Sequence, residues 1–375
     1  MKRTDLSIFS FLLFLVPLHS TQSYTYNSIF SFGDSYTDTG NFNAYVLAKN
    51  LSISLTTDKW PYGQTFFHHP ADRFCDGRLI LDFLAEEFGL PFIEPYLAKK
   101  QRFQQGANFA VAGATVLDPT ELIKQKNLTK SAVTGLNVSL NFQLKWFEDM
   151  KGSLCHSKKE CRNYFTSSMF IVGEIGVNDY LYMLTNGLTV TQVHPYVPII
   201  VETIASAIKR LIHQGGRTLL VPGIVPMGCL TQLLTAFERD EYSSYDHETG
   251  CIRRFNMLSN YHNSLLLKAV KELRVKYPHT RIIYADYYKP LFRLIKFPKR
   301  YGFQPTPLRV CCGKGGKYNW NFSEVCGMPH VSVCHDPSKY IFWDGVHLTE
   351  ASYQYIFKSW LKGPYAHPPI LDAHL

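Results

Sequence analysis

A serine follows the first apolar run of the chain, in a turn that suits a nucleophile. Ser35 ends the tripeptide Gly33-Asp34-Ser35, which comes directly after the run Ser28 to Phe32. A glycine permits a tight turn there, and a hydroxyl at the end of a strand lies at the edge of the sheet. The same position also suits a residue that caps a helix, so the tripeptide on its own does not establish a catalytic serine.

An acid and a histidine near the C-terminus could activate that serine. Asp344 precedes His347 by three residues, near the start of a predicted helix. A serine becomes a good nucleophile when a neutral imidazole takes its proton, and the imidazole needs a carboxylate that fixes its tautomer and stabilises its charge. Because the chain has 14 histidines, such a pair alone is more often structural than catalytic. The catalytic interpretation of the pair depends on the presence of Ser35.

Two further segments contain hydrogen-bond donors for a tetrahedral intermediate. They run from Gly106 to Ala114 and from Gly173 to Asp179, and each adjoins a predicted strand. Gly113 offers a backbone N–H that a substrate can approach closely, and Asn178 offers a side-chain amide, so the two could form an oxyanion hole. Taken singly, each is more often an ordinary turn or cap residue.

Strands that alternate with amphipathic helices must position these residues. Helical periodicity spans Val197 to Ile212, before the stop signal Gly215-Gly216, and again about Phe255 to Lys276. Because parallel strands need crossover connections, the alternation predicts an α/β fold with a five-stranded parallel sheet and helices on both faces. The apolar runs that predict strands are Ser28 to Phe32, Asn108 to Ala112, Met169 to Val172, Thr218 to Val221 and Arg281 to Ala285.

Residues 1–23 have the layout of a secretory signal peptide. Lys2 and Arg3 precede the apolar stretch Ile8 to Leu18, and a small polar segment follows. The apolar stretch is about half of the ~20 residues that span a bilayer, which favours cleavage near residues 20–23 over a membrane anchor. No linker divides residues 24–375, so we expect one domain without stable membrane insertion and with a Cys-rich insertion at about 301–337.

Nine cysteines in a chain bound for an oxidising compartment predict disulfide bonds. The last four are expected to pair among themselves, with the connectivity left open, and Cys75 is expected to be free. A zinc site formed by the last four with His335 is an alternative, but no C-x2-C spacing occurs, so no metal is predicted. Close spacing favours Cys155 with Cys161 and Cys229 with Cys251, and the last four are Cys311, Cys312, Cys326 and Cys334.

Sequons and charge are consistent with the secretory route. The net charge of +9 comes from scattered residues without a long basic run, so nucleic acid is not a predicted partner. A solvated basic surface is the plain interpretation, and acidic polysaccharide is the other. The glycine-rich run from Gly313 to Gly316 lacks the P-loop pattern and follows cysteines, so no nucleotide or other cofactor is predicted. The four N-x-S/T sequons are Asn50, Asn127, Asn137 and Asn321.

In their order and context, these blocks resemble the plant GDSL esterase/lipases of the SGNH hydrolase superfamily. The likeness covers nearly the whole mature chain and includes the runs Trp60 to Gly63 and Asp76 to Phe83. Segments 311–316 and 340–347 look most like the branch that contains acetylajmalan esterase-like and sinapine esterase-like enzymes. Tyr36 stands where the family has its eponymous leucine, which predicts an altered pocket shape, and Cys75 stands where relatives usually carry a small polar residue.

The resemblance implies a three-layer flavodoxin-like fold without a cofactor. It implies catalytic roles for Ser35, Asp344 and His347 and oxyanion donors at Gly113 and Asn178. The expected function is a secreted serine esterase, in the apoplast, cell wall or vacuole, that hydrolyses acyl or acetyl esters through an acyl-enzyme on Ser35. An acyltransferase that uses the same acyl-enzyme and a catalytically silent extracellular binding protein are the alternatives. The ester substrate, whether small molecule, lipid or polysaccharide, stays open.

Overall fold

Five parallel strands form the centre of the computed structural model, which describes residues 26–98, 103–120, 136–238 and 244–371. Across the sheet of the described chain the order is β2-β1-β3-β4-β5-β8, and β8 is antiparallel to β5. Two further short strands, β6 and β7, pair with each other inside the Cys-rich insertion. The strands are β1 Ser28–Phe32, β2 Gly106–Asn108, β3 Ser168–Val172, β4 Thr218–Pro222, β5 Arg281–Ala285, β6 Cys312–Gly313, β7 Ser332–Val333 and β8 Ala366–His367.

The predicted α/β fold is confirmed, but the sheet has one strand more than the five predicted. Strand β8 pairs His367 with Tyr284 and Ala366 with Ala285, at the edge of the sheet. It consists of two residues in a segment bounded by Pro364 and Pro368, so it shows no alternation of apolar and polar residues. An element this short has no periodicity from which to predict it.

The second strand, Gly106–Asn108, begins two residues earlier than the predicted strand Asn108 to Ala112 and ends at the residue where that strand was expected to begin. Gly106 permits it, because a Cβ at this position would lie 1.9 Å from the carbonyl oxygen of Ile29. Beyond Asn108 the chain stays buried, and the Phe109 N–H still donates to Ser31 O at 2.7 Å. The apolar run therefore reflects burial in a loop rather than strand pairing.

Every residue of β1, β3, β4 and β5 is buried. Both faces of the sheet are therefore covered, as in other parallel sheets with helices on each side. The two helices predicted from periodicity are α7 and α9, which pack against each other, and α7 ends at Gly215 in the left-handed conformation. The described helices are α1 Asn41–Ala48, α2 Ile80–Glu87, α3 Leu140–Lys151, α4 Lys158–Thr166, α5 Val177–Thr185, α6 Val190–Val193, α7 Tyr196–Gln214, α8 Thr231–Ala236, α9 Arg253–Lys276, α10 Tyr288–Lys296 and α11 Glu350–Leu361. In the parts of the chain that the structure covers, none of the helices has both the length and the apolarity to cross a membrane.

The disulfide bonds include the two that close spacing favoured. The last four cysteines form two nested bridges, a connectivity that the sequence left open, and Cys75 is free and buried. Since these sulfurs are consumed by bridges, they cannot serve as zinc thiolates, and the described residues contain no cluster of three or more candidate metal ligands. The bridges are Cys155–Cys161, Cys229–Cys251, Cys311–Cys334 and Cys312–Cys326.

The predicted glycosylation sites differ in their surroundings. Asn50 and Asn137 are exposed, whereas Asn321 is half-buried and its amide donates to the carbonyl oxygen of Lys314 at 2.7 Å. Asn127 lies outside the described residues. Exposure leaves the first two side chains free to carry a glycan in the folded protein.

Candidate active site

The turn after β1 holds Ser35 at the edge of the sheet. The N–H groups of Thr37 and Asp38 donate to the carbonyl oxygen of Asp34 at 3.1 and 3.0 Å, which closes the turn around Ser35. The buried amide of Gln143 on α3 bonds both backbone groups of Gly33, at 2.9 and 2.7 Å. Because both ends of the turn are fixed in this way, the Ser35 hydroxyl has a defined direction.

Ser35, His347 and Asp344 lie in one line of hydrogen bonds. His347 Nε2 lies 2.7 Å from Ser35 Oγ, and His347 Nδ1 lies 2.8 Å from Asp344 Oδ2. The N–H groups of Val346 and His347 donate to Asp344 Oδ1 at 2.9 and 2.8 Å, so the three-residue spacing forms a turn that presses the carboxylate against the imidazole. This arrangement allows His347 to take the proton of Ser35.

The Asp344 carboxyl group stays ionised although it is buried. Burial works against its charge, but His347 and the backbone N–H groups of Val346 and His347 outweigh burial and lower the pKa of Asp344 below its ordinary value. Tyr62 Oη also donates to Asp344 Oδ2 at 3.0 Å. In the sequence Tyr62 belongs to the run Trp60 to Gly63 shared with the family, and nothing there indicates its contact with an acid 282 residues away.

The two predicted oxyanion donors lie beside the turn of residues 33–38 that holds Ser35, the nucleophile turn. The amide of Asn178, at the start of α5, donates to Asp34 Oδ2 at 3.0 Å and to Ala114 O at 3.1 Å, so it joins that turn to the Gly113 loop. Gly113 has a φ of 79°, and the described structure contains no protein acceptor for its N–H or for the N–H of Ser35. Two backbone donors thus stay available, and an oxyanion can replace one acceptor of the Asn178 amide.

Three buried aspartates, to which the sequence alone assigns no role, hold these loops together. Asp38 accepts the N–H groups of Gly40, Asn41 and Phe42 at the start of α1 and that of Ala112 in the Gly113 loop. Asp179 accepts the backbone N–H groups of Val116 and Leu117, and Asp34 accepts the backbone N–H of Tyr36 and the side-chain amide of Asn178. The available signal was their place in the motifs themselves, since all three lie within four residues of Ser35 or Asn178.

Burial gives several carboxyl groups unusual proton affinities. It raises the pKa of Asp34 and of Asp179 to about 7 and that of Asp38 and of Asp76 to about 6, although hydrogen bonds to each of them work in the opposite direction. Burial, together with the charge of Asp34, raises the pKa of Glu174 well above its usual value. The folded protein therefore binds protons that the unfolded chain releases.

These shifts make stability depend on pH in a definite direction. A carboxyl group whose pKa is higher in the folded than in the unfolded state destabilises the protein as pH rises, here between about pH 4 and 7. His262, whose pKa burial lowers to about 3, acts oppositely below pH 6.5, but it is one group against several. We expect a higher melting temperature at pH 5.5 than at pH 8 in calorimetry; a melting temperature that rises toward pH 8 would contradict this assignment.

Tyr36, which stands where the family has a leucine, has a buried side chain. Its side chain is 2% exposed and points into the core, where its ring meets those of Tyr287 and Tyr353 edge-on at 5.7 and 6.1 Å. An aromatic ring is bulky and apolar, so its burial behind the nucleophile turn is favourable. Tyr36 therefore does not lie on the surface of the site, and the altered pocket shape stays a prediction.

The Cys-rich insertion supports the loop that carries Asp344. The N–H groups of Cys311 and Cys312 donate to Phe342 O and Trp343 O, at 3.0 and 2.8 Å. The indole of Trp320 lies against Gly345 so closely that a Cβ there would be 2.4 Å from the ring. The bridges of the insertion thus anchor the strand-like segment just before the acid.

Removal of the bridge Cys312–Cys326 should lower activity through this contact. Loss of a native bridge typically costs ~2 to 5 kcal/mol in small secreted domains. We expect kcat for Cys312→Ala/Cys326→Ala to fall at least several-fold below that of the matched variant Cys155→Ala/Cys161→Ala, which loses the bridge between α4 and the segment before it. Steady-state kinetics on both folded variants decide the matter, and equal kcat values would show that the insertion does not position the acid.

Comparison with known proteins agrees with this geometry. The family pattern described as GDSL-like Lipase/Acylhydrolase matches residues 29–360. Two Arabidopsis thaliana proteins named GDSL esterase/lipase are 44% and 45% identical to the chain over 363 residues, which is 96% of this chain and 90% and 88% of theirs. A third with the same family name is 44% identical over 95% of this chain and 89% of its own length. The chain therefore belongs to the GDSL esterase/lipase family and is an enzyme that hydrolyses carboxylic esters.

Proposed function

We propose that the enzyme works through an acyl-enzyme on Ser35, with His347 as general base and Asp344 as its partner. The observation that carries the proposal is the unbroken line from Ser35 Oγ to His347 Nε2, at 2.7 Å, and from His347 Nδ1 to Asp344 Oδ2, at 2.8 Å. All three residues are less than 9% exposed, and electrostatic interactions are stronger in such an environment than in water.

The first half-reaction follows from these contacts. His347 Nε2 takes the proton as Ser35 Oγ attacks the ester carbonyl, and the carboxylate of Asp344 stabilises the imidazolium that forms. The N–H groups of Ser35 and Gly113 and the amide of Asn178 receive the negative charge of the tetrahedral intermediate. His347 then gives its proton to the leaving alcohol, and the acyl group stays on Ser35.

The second half-reaction decides between hydrolysis and transfer. Water attacks the acyl-enzyme with His347 as base and releases the acid, whereas an alcohol that reached the same carbon would give a new ester. We favour water as the acceptor because the relatives are named esterase/lipase. Product analysis with and without an added alcohol separates the two, and an ester product that dominates at low alcohol concentration would favour the acyltransferase.

A fluorophosphonate probe tests the proposal against a catalytically silent binding protein. The probe reacts with serines that a base has activated. We expect it to label the wild type and the control Ser139→Ala, which loses a hydroxyl at the N-cap of α3, and to leave Ser35→Ala unlabelled. Folded wild-type protein that takes up no label would favour the silent binding protein.

The choice of ester can be narrowed by activity screening. The resemblance of segments 311–316 and 340–347 to acetylajmalan esterase-like and sinapine esterase-like enzymes supports testing acetyl esters and phenolic esters first. Long-chain acyl esters and acetylated polysaccharide complete the set. We expect turnover of at least one short or aromatic ester to exceed that of the long-chain esters, and the reverse order would favour a lipase.

Secretion is part of the same proposal. It is supported by the signal-peptide pattern of residues 1–23, which lie outside the described structure, by the disulfide bonds, and by the exposed sequons at Asn50 and Asn137. The mature enzyme would then be one domain of residues 24–375 in the apoplast, cell wall or vacuole. The mass of the protein isolated from plant tissue, before and after removal of N-glycans, tests cleavage and glycosylation together.

A further inference from the structure

Hydrogen bonds from elsewhere in the described chain hold the base loop, which we define as residues 344–347. One comes from a loop that precedes α2, one from the backbone of α8, and one from the nucleophile turn itself. Each reaches a different residue of the base loop, so the loop is fixed at several successive positions. The bonds are Tyr62 Oη to Asp344 Oδ2 at 3.0 Å, Gln232 N to Gly345 O at 2.8 Å and Tyr36 Oη to Val346 O at 2.7 Å.

The Tyr36 side chain is held rigidly, so it can fix the position of the base loop relative to Ser35. Its ring is held edge-on by Tyr287 and Tyr353, and its backbone N–H donates to Asp34 Oδ1 at 3.1 Å. Its hydroxyl is thereby fixed relative to Ser35, the preceding residue. A leucine at this position could fill part of the same space, but it could donate no hydrogen bond to Val346 O.

We propose that Tyr36 is a positioning residue that sets the distance between Ser35 and His347 by tying the nucleophile turn to the base loop. Tyr36 adjoins Ser35 and Val346 adjoins His347, so the bond from hydroxyl to carbonyl runs between the same two segments as the contact of 2.7 Å from Ser35 Oγ to His347 Nε2. Proton transfer requires a short contact, and a misplacement of about 1 Å can cost about 100-fold in rate. This inference rests on the esterase mechanism proposed above.

The test is Tyr36→Phe, which removes the hydroxyl and keeps the ring. We expect kcat to fall about 10-fold, as the loss of one buried hydrogen bond implies, and KM to stay within twofold, because the Tyr36 side chain is buried. The rate of fluorophosphonate labelling at Ser35 should fall by the same factor as kcat, since both need the base in place.

The matched control is Tyr164→Phe. Tyr164 Oη donates to the carbonyl oxygen of Gln104 at 2.6 Å. This bond lies near the N-terminal end of β3, whereas Ser35 follows the C-terminal end of the parallel strand β1, so the control is at the opposite end of the strands. The control also loses a bond from a tyrosine hydroxyl to a backbone carbonyl, although at a more exposed position, and it should keep the kcat of the wild type.

Two results would overturn the role of Tyr36. One is a kcat for Tyr36→Phe within twofold of the wild-type value, and the other is an equal loss of kcat in Tyr164→Phe, which would indicate a general effect of stability. A wild type that is not labelled at Ser35 would instead contradict the proposed mechanism, and with it the basis of this inference.

Discussion

Ser35→Ala and His347→Ala should each remove nearly all turnover, by about 10⁴- to 10⁶-fold in kcat, and the double variant should be scarcely worse than either. The reason is that the hydroxyl and the imidazole, 2.7 Å apart, act as one unit. Without the hydroxyl there is no nucleophile, and without the imidazole no base takes the proton of that hydroxyl. Steady-state kinetics with an activated ester on all three variants measure the effect.

Circular dichroism and melting temperature provide the control for that comparison, since variants that fold like the wild type exclude a trivial loss. Losses in kcat that multiply in the double variant would argue that Ser35 and His347 act independently. Such a result would leave the hydrogen bond between them as a structural contact only.

Asn178→Ala should lower kcat about 10²- to 10³-fold with little effect on folding, which is the usual result when one oxyanion donor is removed. The amide of Asn178 lies between Asp34 and Ala114, beside the nucleophile turn, and donates to both of them. Because an oxyanion carries full charge only near the transition state, kcat should fall much more than KM changes.

A neighbouring residue provides the comparison for Asn178. Asn186, at the C-terminal end of the same helix, donates its amide to Tyr182 O at 2.9 Å and lies outside the site. Asn186→Ala should keep the kcat of the wild type. An unchanged kcat in Asn178→Ala would leave the oxyanion to the N–H groups of Ser35 and Gly113.

Much of the fold could be predicted from local pattern. Buried parallel strands are continuous apolar runs, and α7 and α9 show a clear helical period, so the main elements were located to within a few residues. The displaced β2 shows the limit of this approach, because Phe109 to Ala112 are apolar through burial in a loop. The edge strand β8 was missed because two residues between prolines carry no pattern.

Site residues could be predicted where their type, order and spacing together indicated one kind of chemistry, a serine activated by a histidine and an acid. Asp344 and His347 lie close in the sequence, so a local turn was enough to suggest their contact. The contact of Tyr62 with Asp344 joins residues 282 apart, and that of Tyr36 with Val346 joins residues 310 apart. Such contacts depend on how the whole chain folds, and a single sequence contains no local signal for them.

The central claim is that the ester's acyl group passes through Ser35, and rapid quenching tests it most directly. An activated acetyl ester is mixed with the enzyme, the reaction is stopped in acid within the first turnovers, and peptides are analysed by mass spectrometry. We expect an acetyl group on the peptide that contains Ser35, at a level that falls as substrate is exhausted, and none on that peptide in Ser35→Ala. Full turnover without acyl transfer to Ser35, or with the acyl group on another residue, would contradict the account.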